Sequence, residues 1–205
     1  EGLLPTPDWR WKTFESDWDR AWNPGDSIQL SIGQKDLLVT PLQMASFYAM
    51  LANGGDVVTP HVVSGVEQPG AKGSPRVVLR RFAPQPRRGS GLDSGALSAV
   101  RDGLYLATHS ASGTSSGVFA NYAVPISGKT GTAEKVVQLP GYPSDHLEDQ
   151  SWWCGWGPSE DAKIVVCALI ENGGHGSTAA APAALRVFET FFNQKAPSTV
   201  LRETD

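Results

Sequence analysis

The chain has 205 residues and a mass of 21.9 kDa, enough for one large domain or two small ones with a buried core. Its net charge of -4 argues against a general nucleic-acid binder, and two cysteines are too few for a disulfide scaffold or a zinc cluster. Apolar residues make up 40% of the chain without any run of about 20, so neither a membrane helix nor a secretory signal is predicted. The high content of glycine (22) and proline (15) predicts many turns, which favours an α+β or a β-rich fold.

Four tryptophans and several prolines mark the first part of the chain. Pro5, Pro7 and the turn sequence Asn23-Pro24-Gly25 favour an ordered loop over about residues 1–36. Alternating apolar and polar residues at 8–12 leave a half-buried strand as the alternative.

A buried helix is predicted after this segment. Thr40 supplies an N-cap, Pro41 suits the first helical position, and the following residues are apolar around most of the circumference until Asn53-Gly54-Gly55. The next segment, 64–91, is rich in Gly, Pro and Arg and is predicted to be a solvated surface loop, with a short edge strand at 77–79. Contact of its basic residues with an anionic polymer or a lipid surface is the alternative.

Two further helices flank a region of strands. The first has Asp93 or Ser94 as its N-cap, and the second begins near Ser177 or Thr178 and should end the domain. Between them, aromatic and β-branched residues predict strands at 119–126, 129–139, 151–157 and 163–171, the last two forming an antiparallel hairpin. The prediction is therefore an antiparallel sheet packed by helices.

The tract Ser127-Gly128-Lys129-Thr130-Gly131-Thr132-Ala133-Glu134 is the most informative for function. A phosphate loop would need a glycine at position 123, where Ala123 stands, and a helix after the Lys-Thr, where Gly131 follows instead. On an edge strand, by contrast, an ammonium and a hydroxyl can bind a carboxylate. Unpaired backbone N–H groups can meanwhile pair with an extended peptide or hold an oxyanion.

Several motifs occur together with this tract, in a characteristic order and spacing. They are Gly33-Gln34, Val39-Thr40-Pro41-Leu42-Gln43-Met44-Ala45, Leu51-Ala52-Asn53-Gly54-Gly55, Pro60-His61, Gly113-Thr114, the Lys-Thr-Gly tract and Glu171-Asn172-Gly173-Gly174-His175-Gly176. From about Gly2 to Phe192 the chain resembles the C-terminal portion of the transpeptidase domain of class B penicillin-binding proteins. Trp22-Asn23-Pro24-Gly25-Asp26 resembles the cell-elongation branch, whereas Lys35 stands where the family often has a second glycine.

Two of the three motifs of this family are missing. No serine has a lysine three positions on, as in Ser-x-x-Lys, and no Ser-x-Asn occurs; Lys-Thr-Gly alone is present. We therefore expect residues 1–205 to be the C-terminal portion of a transpeptidase domain whose nucleophile lies on sequence outside this chain. A non-catalytic peptide-binding or scaffolding module of the same fold is the alternative.

The resemblance implies a serine acyl-enzyme mechanism that cross-links peptidoglycan stem peptides and is inhibited by β-lactams. It implies that Lys129 and Thr130 bind the carboxylate of the terminal D-alanine or the drug and that Gly131 permits close approach. The backbone N–H of Thr132 would be half of the oxyanion hole. The resemblance also implies that the protein acts outside the cytoplasmic membrane, is anchored by another segment and has a membrane glycosyltransferase as a partner. No metal, cofactor or nucleic acid is expected.

The other residues that could take part in catalysis are predicted to have structural roles. Gly113-x-Ser115-x-Gly117 fits a nucleophile elbow, yet a helix is predicted before it and a strand after it, the reverse of the required order. A glycine-rich connector close to the binding cleft is the favoured interpretation. His175 is predicted to be a turn or capping residue and Glu134 a hydrogen-bonding one. The remaining histidines, His61, His109 and His146, lack metal-ligand spacing.

The two cysteines lie on the two arms of the predicted hairpin. If Pro158 pairs with Lys163, the register places Cys154 opposite Cys167. A disulfide is compatible with the extracytoplasmic location that the resemblance implies, although the typical cross-strand distance suits it only with strain. Two reduced, buried cysteines are the favoured interpretation.

Overall fold

A computed structural model describes residues 2–70, 74–83, 85, 87–136 and 147–197. The helices are α1 (Pro7–Thr13), α2 (Asp17–Arg20), α3 (Pro24–Ser31), α4 (Pro41–Ala52), α5 (Ser94–His109), α6 (Ser116–Phe119) and α7 (Ala180–Phe192). The strands are β1 (Asp56–Val57), β2 (Gly65–Gln68), β3 (Val77–Arg81), β4 (Arg88–Gly89), β5 (Ser127–Val136), β6 (Leu147–Gly157) and β7 (Ile164–Ile170).

The N-terminal segment is helical, so the predicted loop at 1–36 and its strand alternative are both wrong. Thr6 and Ser16 cap α1 and α2 by accepting hydrogen bonds from backbone N–H groups, and Asn23 forms a capping box with Asp26 at α3. Pro7 and Pro24 occupy the first turns of their helices, where a proline loses no hydrogen bond. The prolines that suggested a loop are therefore helix starts.

A buried ion cluster joins these helices to the segment after them. Arg10 is 7% exposed, and its guanidinium lies 3.0 Å from the Asp36 carboxylate and 3.5 Å from that of Asp26. Lys35 Nζ also pairs with Asp26. Because buried charges require partners, the cluster fixes residues 33–36 relative to α1 and α3.

The two helices predicted from capping signals are confirmed. Thr40 and Gln43 form a capping box at α4, and Asp93 caps α5 by accepting from the N–H of Ala96. Helix α7 begins at Ala180, two or three residues later than predicted. The carbonyl of His175 accepts hydrogen bonds from the N–H and the hydroxyl of Thr178, so a turn occupies the intervening residues.

A three-stranded antiparallel sheet in the order β5-β6-β7 is the centre of the fold, as predicted. One face packs on α4 and α5 through a cluster that includes Tyr48 and Trp156. The other packs on α6 and α7, where the rings of Phe119, Trp153 and Phe188 are fully buried. The architecture is an α+β domain with helices on both faces of the sheet.

The predicted strand at 119–126 is wrong. Residues 116–119 form α6, and β5 begins only at Ser127. Phe119, Tyr122, Val124 and Ile126 are all buried in the cluster between the sheet and α7. Their apolar character therefore reflects burial of an irregular segment rather than strand pairing.

The hairpin of β6 and β7 has the predicted register, in which Cys154 lies opposite Cys167. The two residues form a disulfide, so the favoured interpretation of two reduced cysteines is wrong. Their Cα atoms are 4.2 Å apart, at the close end of the spacing of antiparallel pairs. The expectation of strain was based instead on the typical separation of cross-strand Cβ atoms.

The segment 64–91, predicted as a loop with one short edge strand, contains three short strands, β2, β3 and β4, each in an antiparallel pair. Strand β3, which includes the predicted strand at 77–79, pairs with β2, and β4 pairs with β1. Every residue of β3 is exposed. Within the described parts of the chain, no helix has the length and apolar character that a membrane span requires.

Candidate functional site

The Lys-Thr-Gly tract lies at the outer edge of the sheet, as the sequence predicted. Strand β5 pairs with β6 on one side, and in the described part of the chain no strand covers its other side. A cleft of about 210 Å³ opens there. Its lining consists of Thr114, Lys129, Thr130, Gly131, Thr132, His175, Gly176 and Ser177.

Lys129 and Thr130 converge at the mouth of this cleft although successive strand residues point to opposite faces. Lys129 Nζ donates to the hydroxyl of Thr130 at 2.9 Å and to its carbonyl at 3.1 Å. Such a contact arises because a long side chain at a sheet edge can turn around the strand. The arrangement places an ammonium and a hydroxyl side by side, as binding of a carboxylate requires.

Thr114 lies in the connector that was predicted to be close to the cleft, but no binding role was predicted for it. Its hydroxyl accepts hydrogen bonds from Lys129 Nζ at 3.2 Å and from the Thr130 hydroxyl at 2.9 Å. The motif Gly113-Thr114 was part of the family resemblance, but no role was assigned to it. The loop after α5 brings Thr114 to β5, a contact that short-range sequence patterns do not indicate.

Burial affects the electrostatics of the cleft. Desolvation of Lys129 lowers the pKa of its ammonium from the ordinary lysine value. A partly desolvated cation attracts an anion more strongly than one in bulk water does, because there is less solvent to screen it. The site is therefore suited to an anionic group.

The turn at 175–178 also lines the cleft, through His175, Gly176 and Ser177. The N–H of Gly176 donates to the Thr132 hydroxyl at 3.4 Å, and Ser151 Oγ donates to the His175 carbonyl at 2.9 Å. A Cβ at Gly176 would lie 2.5 Å from the Trp152 carbonyl oxygen, so only glycine permits this close packing. The turn that contains His175 thus packs directly on β5 and β6.

Gly131 is also closely packed within the sheet. A Cβ at this position would lie 3.3 Å from the Cβ of Trp152 on β6. This contact is tight without being prohibitive. That Gly131 admits an extended peptide stays a prediction.

Gln34 contacts the same strand from the N-terminal segment. Its Nε2 donates to the carbonyl of Thr132 at 3.0 Å. The sequence placed Gln34 in a family motif without giving it a role. The neighbours Gly33 and Lys35 both have positive φ angles (75° and 65°), which shape the turn that presents the side chain.

Ser115 is not placed as a nucleophile. Its side chain is 1% exposed, and its hydroxyl accepts from Trp153 Nε1 and donates to the Ala107 carbonyl, both at 3.3 Å. Helix α5 precedes it, and α6 follows in place of the predicted strand. Neither arrangement is the strand–turn–helix of a nucleophile elbow.

The other candidates lie away from the cleft or outside the described residues. Glu134 is exposed on β5 opposite Asp149, His61 is exposed, and the ring of His109 stacks on Tyr105 at 4.1 Å. His146 lies outside the described residues. Among the residues that are described, no group of three or more His, Cys, Asp or Glu side chains could hold a metal ion.

Comparison with known proteins relates this site to one family. The chain is 31% identical over 201 residues to the peptidoglycan D,D-transpeptidase MrdA of Haemophilus influenzae, covering 95% of the chain and 29% of that relative. It is 34% identical over 187 residues to MrdA of Acinetobacter baumannii, covering 88% of the chain and 26% of that relative. The chain thus spans less than a third of either relative.

A solved structure supports the same relationship. The crystal structure of Pseudomonas aeruginosa PBP2 in complex with WCK 5153 superposes with a TM-score of 0.69 at 29% identity. The superposition covers 99% of this chain and 41% of that one. The relatives named MrdA represent the cell-elongation branch, which the sequence resembled. Residues 12–189 match the penicillin binding protein transpeptidase domain, and the chain therefore belongs to the penicillin-binding protein transpeptidase family.

Proposed function

We propose that this chain supplies the substrate-binding strand of a peptidoglycan D,D-transpeptidase. The observation that carries the proposal is the position of Lys129, Thr130 and Gly131 on an open edge strand that lines a cleft. The relatives that match over most of the chain are named peptidoglycan D,D-transpeptidases, which supports the same function.

The substrate is a stem peptide that ends in D-alanyl-D-alanine. Lys129 and Thr130 bind its terminal carboxylate, and the peptide extends along the open edge of β5 at Gly131. This orientation brings the penultimate carbonyl toward Thr132, whose backbone N–H stabilises the developing oxyanion. A β-lactam carries a carboxylate and an acylating carbonyl and competes for the same groups.

The reaction has two acyl transfers. A serine oxygen attacks the penultimate carbonyl carbon, the C–N bond breaks, and D-alanine leaves with the serine proton on its amine. An amine of a neighbouring stem peptide then attacks the ester carbon, the C–O bond breaks, and the proton returns to the serine oxygen. The amide bond formed in this step is the new cross-link.

The nucleophile and its activating lysine belong to sequence outside this chain, because the chain contains no Ser-x-x-Lys motif. We therefore assign catalysis to the intact protein, in which an N-terminal part of the domain completes the cleft. The intact protein works at the outer face of the cytoplasmic membrane, anchored by another segment, with a membrane glycosyltransferase as partner. The chemistry described needs no metal or cofactor.

Labelling with a fluorescent penicillin tests this function. The intact protein should form one covalent adduct, and peptide mapping should place it on a serine outside these 205 residues. The 205-residue chain by itself should remain unlabelled. An adduct on Ser115 or on any other serine of this chain would contradict the proposal.

A non-catalytic peptide-binding module of the same fold is the second candidate. The absence of the nucleophile motifs from the chain favours it, whereas the names of the relatives do not. Mass spectrometry of the source protein discriminates between the two candidates. A mature protein that consists of these 205 residues alone would support the module.

A further inference from the structure

Gln34 and Thr132 are 98 residues apart in sequence and are joined by a hydrogen bond at the cleft. Gln34 Nε2 donates to the Thr132 carbonyl at 3.0 Å. Thr132 is also held through its hydroxyl, which accepts from the N–H of Gly176 at 3.4 Å. The residue is thus fixed from the N-terminal segment and from the turn before α7.

The hydrogen bond reveals the direction of the Thr132 backbone groups. In an antiparallel strand the N–H and C=O of one residue point to the same side, so residues alternate between the partner strand and the open edge. The Thr132 carbonyl accepts from Gln34, which is not part of β6. The Thr132 N–H therefore also points to the open edge, beside the carbonyl that Gln34 holds.

Gln34 is itself rigidly mounted. Its backbone N–H donates to the Gln29 carbonyl at 2.9 Å, and the flanking residues Gly33 and Lys35 adopt positive φ angles. Lys35 pairs with the buried Asp26, and Asp36 pairs with the buried Arg10. Lys35 thus adopts a left-handed conformation, which is costly for a residue with a Cβ, while its ammonium pairs with Asp26. The loop can therefore hold the glutamine amide in one position.

We propose that Gln34 is a positioning residue for the oxyanion hole. By holding the outward carbonyl of Thr132, it keeps the adjacent N–H directed at the acyl oxygen of the bound substrate. This inference rests on the proposed function, because that function gives the Thr132 N–H its role. Gln34 makes no contact with the carboxylate-binding pair Lys129 and Thr130 among the contacts described, so it affects the acylation step rather than capture of the carboxylate.

The test compares two nearly isosteric variants of the intact protein. Gln34→Met removes the donor, and Gln34→Glu replaces it with a carboxylate that repels the carbonyl when ionised and donates to it when protonated. Stopped-flow labelling with a fluorescent penicillin separates the dissociation constant from the first-order acylation constant. Since loss of an oxyanion donor costs about 10²- to 10³-fold, loss of its support should slow acylation by roughly tenfold.

The pH profile distinguishes positioning from general damage to the fold. Relative to wild type at each pH, acylation by the Gln34→Glu variant should rise as pH falls toward the carboxyl pKa, while that of Gln34→Met stays level. Gln68→Met, at an exposed glutamine on β2, is the matched control and should acylate like wild type. Equal, pH-independent losses in both Gln34 variants would indicate a structural role and overturn the proposal.

Four other outcomes also discriminate between the possibilities. Unchanged acylation in Gln34→Met would refute the proposal. Faster acylation would also refute it, because it would show that Gln34 competes with the substrate for the Thr132 carbonyl. A change confined to the dissociation constant would refute it as well. If wild type is not acylated at all, the proposed function fails. Whether Gln34 holds the strand is then still tested by amide hydrogen exchange at Gly131 and Ala133. This exchange should become faster in Gln34→Met and stay unchanged in Gln68→Met.

Discussion

The hydroxyl of Thr114 lies 3.2 Å from the ammonium of Lys129 and accepts a hydrogen bond from it. The same hydroxyl accepts from Thr130 at 2.9 Å, so the loop after α5 fixes both polar side chains of the Lys-Thr-Gly tract. These contacts hold the pair in place before any ligand arrives. Preorganised groups of this kind bind an anion without having to reorder.

Replacement of Thr114 by valine should weaken carboxylate binding. The change keeps the side-chain shape and removes the acceptor shared by Lys129 and Thr130, at a cost of about 1.5 kcal/mol for a hydrogen bond to a charged group. The dissociation constant of the penicillin complex of the intact protein should therefore rise roughly tenfold. Thr114→Ser, which keeps the hydroxyl, is the control. Equal affinities of the Val and Ser variants would contradict the role of the hydroxyl.

Removal of the Lys129 ammonium should have a larger effect. In Lys129→Ala the ligand carboxylate loses a charged hydrogen bond of roughly 1.5 to 3 kcal/mol, so penicillin acylation at low drug concentration should slow about 10- to 100-fold. The measurement is the second-order acylation constant of the intact protein. Lys163→Ala, at an exposed lysine that pairs with Asp161, is the control and should acylate as wild type does. Unchanged acylation in Lys129→Ala would show that Lys129 does not bind the ligand carboxylate.

The pH dependence of acylation should reflect the environment of Lys129. Desolvation lowers the pKa of this ammonium, so the charge is lost as pH rises through a value below that of an exposed lysine. Carboxylate binding should be retained below that pKa and lost above it. In Lys129→Arg the guanidinium stays protonated, and the alkaline decline should move to higher pH. The check is the acylation constant over about pH 7 to 10. Superimposable alkaline declines in the two proteins would exclude Lys129 as the titrating group.

Local sequence signals predicted those elements that depend on neighbouring residues. Thr40 with Pro41 and Asp93 correctly marked the starts of α4 and α5, because capping is an interaction within one turn. The register that placed Cys154 opposite Cys167 was predicted because a short turn fixes the pairing of a hairpin.

Elements decided by tertiary contacts could not be predicted in this way. Thr114 and Gln34 reach Thr130 and Thr132 across 16 and 98 residues, and no periodicity encodes such contacts. A strand was predicted at 119–126 because aromatic and β-branched residues are typical of strands, and these residues are equally frequent in buried segments of other kinds. The N-terminal helices were missed because proline marks both loops and first helical turns.

The buried Tyr48 should make the fold sensitive to alkaline pH. Burial raises the pKa of its hydroxyl to about 12, from 10.0 in the unfolded chain. The unfolded state therefore loses this proton first, and the free energy of unfolding should fall between about pH 10 and 12, by at most about 1.4 kcal/mol per pH unit. Below pH 10 this contribution is fully present.

Urea unfolding of the intact protein at pH 8, 10 and 11 measures this effect. Other lysines and tyrosines titrate in the same range, so the relevant quantity is the difference in slope between wild type and Tyr48→Phe. The decline should be shallower in Tyr48→Phe, while Tyr105→Phe, at a 40% exposed tyrosine, should follow wild type. Parallel declines in all three proteins would show that Tyr48 does not cause the loss.

The disulfide between Cys154 and Cys167 should stabilise the sheet from its central strand. It links β6 to β7 directly beside Lys129, which lies opposite Cys154 on β5. The bond closes a loop with a sequence separation of 13. In the chain-entropy description, a cross-link that closes a loop of this size lowers the entropy of the unfolded chain. The free energy of unfolding rises by about 3 kcal/mol as a result.

Thiol titration and unfolding under reducing and non-reducing conditions test this role. Denatured, unreduced protein should show no thiol from these two cysteines. The double variant Cys154→Ala/Cys167→Ala should unfold at lower denaturant concentration, by about 2 to 4 kcal/mol in free energy. Alanine is preferred to serine because Cys154 is only 3% exposed and a hydroxyl there would be buried. Reductant should destabilise wild type while leaving the double variant unchanged, since only wild type has a bond to lose. Two titratable thiols, or an equal effect of reductant on both proteins, would show that the cysteines are reduced after all.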